Sequence, residues 1–255
     1  MVVTLNPSPK NEGACTVTAD FGCRCMTHPR ARDLTRPTAP PGARGAWLIW
    51  VLAAALILPE LLLWGADRGL WGSGRWRSLA YAYGGFWVGL LKGWRPNFPA
   101  QPWTMFLTYG FLHTGLAHLL GNLAALIWLT RSLLPRMGMG LILLIYGAAA
   151  LAGAGMFGLL SQQFVPMVGA SGAIFGLAGA WVATEAQDDR ARGRPWRRVL
   201  ARVVLIGAVL VVLNLFQWWL DGGRLAWQTH LGGFLAGAIL AALWPRRGAQ
   251  AGEAR

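Results

Sequence analysis

Between Arg136 and Glu185 the chain carries no charged side chain, from Met137 through Thr184. A single pass through a bilayer takes about 20 apolar residues at about 1.5 Å apiece, so this stretch holds two passes. Four more runs are nearly as clean. Arg44 to Asp67 is interrupted only by Glu60, while Arg95 to Arg131, Arg202 to Asp221 and Arg224 to Arg246 are uninterrupted. Only 13% of the 255 residues are charged and 55% are hydrophobic, against about 25% charged in an ordinary soluble domain. These runs predict an all-α polytopic membrane protein with six spanning helices, at about 46–65, 112–131, 139–160, 171–187, 199–219 and 226–244. The fourth is the shortest.

The net charge of +13 does not point to nucleic acid. Arg and Lys cluster beside the apolar segments, where they set orientation and meet lipid headgroups. Residues 1–45 are polar and basic, with prolines at 37, 40 and 41. They read as a flexible tail that buries no core. The domain organisation expected is therefore tail 1–45, membrane domain 46–245 and a short second tail 246–255. Cys15, Cys23 and Cys25 all fall in the first tail. Their odd number argues against a disulfide framework, and their spacing departs from the usual C-x2-C zinc clip.

Counting basic residues orients the spans. The first tail, the turn with Arg131 and Arg136, the loop Arg190–Arg202 and the end at Arg246–Arg247 are all basic. Six spans put these four on one side, the cytoplasm. The long connection 66–100 breaks the rule with Arg68, Arg75, Arg77, Lys92 and Arg95, as long loops often do. Its aromatic segment 79–94 is too short to span and reads as an interfacial or re-entrant piece.

Polar groups inside a membrane are costly and are functional candidates for that reason. They are few: His113, His118 and Asn122, Ser171, Asn214 and Gln217, and His230. His118 and Asn122 are four residues apart and project from one helix face, whereas His113 lies about 140° round from His118. Taken alone, the His118/Asn122 pair reads first as glue between helices. Ser171 opens the fourth span, about 20–25 Å from its charged end at Glu185–Asp188, and so below the opposite membrane surface. Gly172, Gly176 and Gly179 make a smooth stripe beside it. His230 crowns a similar face formed by Gly233 and Gly237. Two glycine faces let helices approach closely, which would bring the imidazole beside the hydroxyl.

Two readings of Ser171 follow, a small packing residue or a nucleophile. For the second, the parts of acyl transfer are present. His230 can serve as base, and the Ser171 N–H, His118 and Asn122 as donors for an oxyanion. No carboxylate is placed to orient His230, which favours a Ser–His dyad over a triad. The G-x-S-x-G elbow of soluble hydrolases is unmatched, since Ala173 stands where the second Gly belongs. No metal site is expected from His113, His118 and His230. A channel or transporter would show charges along a pathway or inverted repeats, and neither is visible.

With these residues in view, the chain resembles the rhomboid intramembrane serine proteases. GASGAIFGLAG (169–179) resembles their G-x-S-G motif, HLLGN (118–122) their H-x3-N, and HLGGFLAG (230–237) their H-x2-G-x3-G. The resemblance covers roughly residues 100–245. It implies Ser171 as nucleophile, His230 as base and then acid, and His118 and Asn122 with the Ser171 N–H as oxyanion donors. Gly169, Gly172, Gly176, Gly233 and Gly237 are implied as packing residues. The substrates implied are transmembrane segments of other proteins, cut near the extracytoplasmic side, with no cofactor or metal. The location implied is a bacterial inner membrane with both termini cytoplasmic. The sequence departs from the family in three places. Trp103-Thr104 stands where a Trp-Arg pair is frequent, Phe175 where Tyr is frequent, and Thr229 where Ala is frequent. A catalytically silent relative that binds or escorts transmembrane helices is the alternative, but such relatives lose the serine or the histidine.

Overall fold

The computed structural model describes residue 45, residues 47–220 and residues 225–244, all within one compact unit, 39–255. Residues 1–44 of the first expected tail with its cysteines, the whole second tail, Asp221, Arg224 and the side chains of Asn214 and Gln217 lie outside the described residues. Among the described residues the structure is helical. Among those residues the only extended pairing is an isolated antiparallel bridge between Phe86 and Met167. Helices suit a lipid environment because they satisfy every backbone N–H and C=O internally.

Helix α1 (Trp47–Asp67) realises the first expected span. Its buried residues Ile49, Ala53, Leu56, Glu60 and Leu63 recur at alternating spacings of four and three, one stripe of the helix. Glu60 therefore falls on the inward face, although nothing else on that stripe is charged. The connection that follows forms α2 (Trp76–Gly84), α3 (Val88–Leu91) and α4 (Gln101–Thr108), then a 3-10 turn, Tyr109–Phe111. The segment expected at the interface is thus two short helices joined at Phe86. That ring is fully buried and meets Phe106, Tyr109 and Phe157 edge-on, with centroids 4.9, 6.2 and 5.9 Å away. The Phe86–Met167 bridge, with N–O distances of 2.9 and 3.0 Å, fastens this connection to the chain just before Gly169.

Helix α5 (Leu116–Leu160) corrects the expected turn at 131–136. Helix persists through Arg131 and Pro135 and breaks at one residue, Gly138, with φ 75° and ψ 163°. Only glycine adopts that backbone readily, so a single residue replaces a loop. The two arms run in opposite senses. Arg136, beside the break, pairs with Glu185 and Asp188 at the far end of α6, whereas Gly153 on the second arm abuts Thr229 near the start of α8.

Helices α6 (Ser171–Ala191), α7 (Trp196–Leu220) and α8 (Trp227–Leu243) complete the fold. The expectation that the fourth span is shortest does not hold for the helix itself. Helix α6 has 21 residues and α8 has 17. It continues past Thr184 because its acidic end is neutralised. Glu185 and Asp188 pair with Arg136, and the buried Asp189 meets Arg202 at 3.0 Å and Arg194 at 3.3 Å.

Leu56, Leu126, Leu133, Ile142, Ile145, Leu177 and Ala180 form the interior. The outside is apolar as well, with Trp47, Leu58, Trp128, Leu144, Val204, Leu205 and Ile239 all exposed. Water would not tolerate so continuous an apolar exterior, whereas hydrocarbon requires one. Among the described residues, α1 and α5 are the helices that are long and apolar enough to cross a membrane by length and composition.

Candidate active site

The chain reaches α6 through Gly169, whose φ of 128° lies where L side chains are strained and whose N–H donates to the Tyr109 carbonyl at 2.9 Å. A Cβ there would also sit 2.8 Å from His118 Cε1. Glycine is needed at 169 for both reasons. Ser171 is the first residue of α6, where the backbone N–H groups of the opening turn lack partners within the helix.

Helices α6 and α8 meet backbone to backbone. A Cβ on Gly233 would overlap the Gly172 carbonyl, one on Gly237 the Gly176 carbonyl, and one on Gly179 the Phe234 carbonyl. A Cβ on Gly172 would overlap the Thr229 methyl, and one on Gly176 the Ala149 methyl. Gly232, which the sequence reading passed over, turns to the other side, where a Cβ would lie 2.8 Å from the Ala152 carbonyl. The doublet Gly232–Gly233 therefore seats α8 between α5 and α6. Its adjacency was the available signal, because neighbouring helix positions face about 100° apart.

This contact brings His230 to Ser171. Nε2 of His230 lies 2.8 Å from Ser171 Oγ. The imidazole is buried and stacks on Phe175, with centroids 4.2 Å apart and planes 6° from parallel. The departure from Tyr at 175 leaves this ring contact intact. On the α7 side of His230 an apolar cavity of about 560 Å³ is lined by Phe175, Leu210, Val211, Trp227 and Phe234.

The first arm of α5 carries His118 and Asn122. The Cε1–Nε2 edge of His118 faces the Gly169 turn beside Ser171 Oγ, and its Nδ1 is 3.1 Å from Thr114 Oγ1. Asn122 is buried one turn further along, and its Nδ2 has no hydrogen-bond partner among the described residues. His113 corrects an expectation. A helical wheel turns it away from His118, yet the two rings meet edge-on at 5.2 Å. The wheel does not apply because α5 starts only at Leu116.

A second polar cluster holds the chain at His113, and sequence reasoning missed it. Glu60, fully buried, receives both terminal nitrogens of Arg77 at 2.9 Å, and the Arg77 Nε reaches Asp67 at 2.6 Å. Arg77 also donates to the His113 carbonyl at 2.9 Å, where the Tyr81 hydroxyl donates at 2.6 Å. Burial alone would weaken the Arg77 proton affinity, but hydrogen bonds to Glu60, Tyr81 and Asp67 outweigh it and hold the group charged. Burial raises the Tyr81 pKa against the pull of Arg77, so the phenol stays a donor. Trp103, of the departing Trp-Thr pair, is exposed. The available signal was Glu60 itself, a lone carboxylate in a span, which requires a partner.

Every carboxylate among the described residues is committed to arginine: Glu60 and Asp67 to Arg77, Glu185 and Asp188 to Arg136, and Asp189 to Arg192, Arg194 and Arg202. Among the described residues, no group of three or more His, Cys, Asp or Glu side chains is arranged to hold a metal.

A model of the rhomboid domain matches residues 99–247. Rhomboid protease GluP of Bacillus subtilis (strain 168) is 31% identical over 141 residues, which is 55% of this chain and 26% of that protein. Rhomboid-like protease 3 of Toxoplasma gondii is 32% identical over 130 residues, 51% of this chain and 47% of that protein. The chain thus aligns with less than half the length of each relative. The domain match covers more than half of the chain and contains all three polar motifs as well as the glycines that pack them, and on that ground the chain belongs to the rhomboid family of integral membrane proteins.

Proposed function

We propose that this protein is an intramembrane serine endopeptidase with Ser171 as nucleophile and His230 as general base. The observation that carries the proposal is the 2.8 Å contact between Ser171 Oγ and His230 Nε2. In the reacting tautomer the imidazole proton is on Nδ1, leaving Nε2 to accept the serine proton as Oγ attacks a peptide carbonyl. The oxyanion formed takes hydrogen bonds from the Ser171 N–H, His118 Nε2 and Asn122 Nδ2. The idle, buried Asn122 donor supports this role, because a preorganised donor is most effective when nothing else occupies it. His230 then protonates the leaving amine, and the acyl-serine is released by a water that gives its proton to the same nitrogen. Arginine pairing of every described carboxylate supports a dyad.

The proposed membrane domain, 46–245, has six spans, counting the two arms of α5 separately, with 1–45 and 246–255 as tails. The arginine-rich end at Glu185–Arg202 faces the cytoplasm, as do both termini. Ser171 is about 21 Å along α6 from Glu185, which sets the reaction toward the extracytoplasmic side. The substrate is the transmembrane segment of another protein, and the apolar cavity beside His230 suits its side chains. For a bacterial cell the compartment is the inner membrane.

A fluorophosphonate probe tests the nucleophile. The purified protein is expected to label on one serine, and Ser171→Ala to abolish the labelling. A wild-type protein that stays unlabelled while binding transmembrane peptides would instead support the silent, helix-escorting alternative.

A further inference from the structure

His118 can serve an oxyanion only in one tautomer. A neutral imidazole carries one N–H, so donation from Nε2 requires Nδ1 to accept. The two edges of this ring face different groups. The Cε1–Nε2 edge faces the Gly169 turn that leads into Ser171, and Nδ1 faces the Thr114 hydroxyl at 3.1 Å.

We propose that Thr114 is a positioning residue, whose hydroxyl donates to His118 Nδ1 and so keeps the proton on Nε2, aimed at the oxyanion. The inference rests on the oxyanion role given above to His118.

The local backbone is built for this contact. A side chain at the N-cap ordinarily accepts from the N–H two or three residues on. Here the N-cap of α5 is Gly115, with φ 148° and no side chain to cap with. Thr114, one residue earlier, has its hydroxyl at the ring of His118, the third residue of the helix. The helix forgoes a capping bond, and the hydroxyl one step upstream orients an imidazole instead. The turn that carries Thr114 is held from behind, since the preceding carbonyl, His113 O, receives both Arg77 and Tyr81. The His113 ring, edge-on to His118 at 5.2 Å, closes one side. Thr114 is exposed, so removing its hydroxyl opens no core cavity.

The test uses the full chain in detergent with a quenched fluorogenic transmembrane peptide, active sites being counted by fluorophosphonate end-point labelling. Thr114→Val, which keeps the shape and removes the hydroxyl, is expected to lower kcat about tenfold at unchanged KM. Thr114→Ser is expected to restore it. The rate of fluorophosphonate labelling, compared in a double-mutant cycle, should fall with Thr114→Val in the wild-type background and not in the His118→Ala background. Wild-type turnover in Thr114→Val would overturn the proposal, as would an equal loss in both backgrounds. Neither result would touch the nucleophile assignment, which fails only if Ser171→Ala still labels.

Discussion

The two polar clusters of this protein lie back to back at His113 and His118, and they are finished differently. In the Arg77 cluster every charged group has partners. Glu60 is bound at both oxygens, and the guanidinium spreads over Glu60, Asp67, Tyr81 and the His113 carbonyl. In the cluster around Ser171 a buried amide donor, Asn122 Nδ2, has no partner among the described residues. A buried polar group without a partner costs about 1–3 kcal/mol. The first cluster therefore stabilises the fold, whereas under the function proposed above the Asn122 amide is held ready for the oxyanion.

Breaking the scaffold side should give the larger loss of stability. Arg77→Ala leaves Glu60 buried and unpaired, so unfolding in detergent should become easier by about 3–5 kcal/mol. Loss of the clamp also frees His113, so turnover per folded molecule should fall. A stability equal to wild type would show that Glu60 escapes to solvent or is neutral without its partner. Asn122→Ala should show the reverse pattern. It is expected to cut kcat by about 10²–10³-fold, near 3–4 kcal/mol in the barrier, and to leave thermal stability unchanged or slightly raised. An Asn122→Ala enzyme with wild-type kcat would remove the amide from the oxyanion site. A large drop in its stability would mean that the idle donor is engaged in the resting protein.

Much of this arrangement is legible in the sequence where a local rule governs it. Helix α1 opens within a residue or two of the start of its uncharged run, and Ser171 opens α6. The stripes Gly172–Gly176–Gly179 and Gly233–Gly237 face each other because 3.6-residue periodicity and the absence of Cβ atoms are both local properties. What stayed hidden depends on contacts between distant segments or on single dihedral angles. The Glu60–Arg77 pair joins a span to the short helix α2, 17 residues on, and no periodicity links them. Gly138 looks like any other glycine of the apolar run until its φ is known. The helical wheel separated His113 from His118 because it assumed helix where the chain is still turning. Helix α6 outran its apolar stretch because arginines from α5 and α7 neutralise its acidic end.

The central claim is that the contact between Ser171 and His230 is a working dyad and more than helix packing. The direct measurement is cleavage of a transmembrane peptide co-reconstituted with the protein in lipid vesicles, with the wild type beside Ser171→Ala. The account predicts cut products from the wild type and none from Ser171→Ala, with both proteins equally stable. Equal cleavage by the two, or none by a wild type that is folded and binds the peptide, would contradict it.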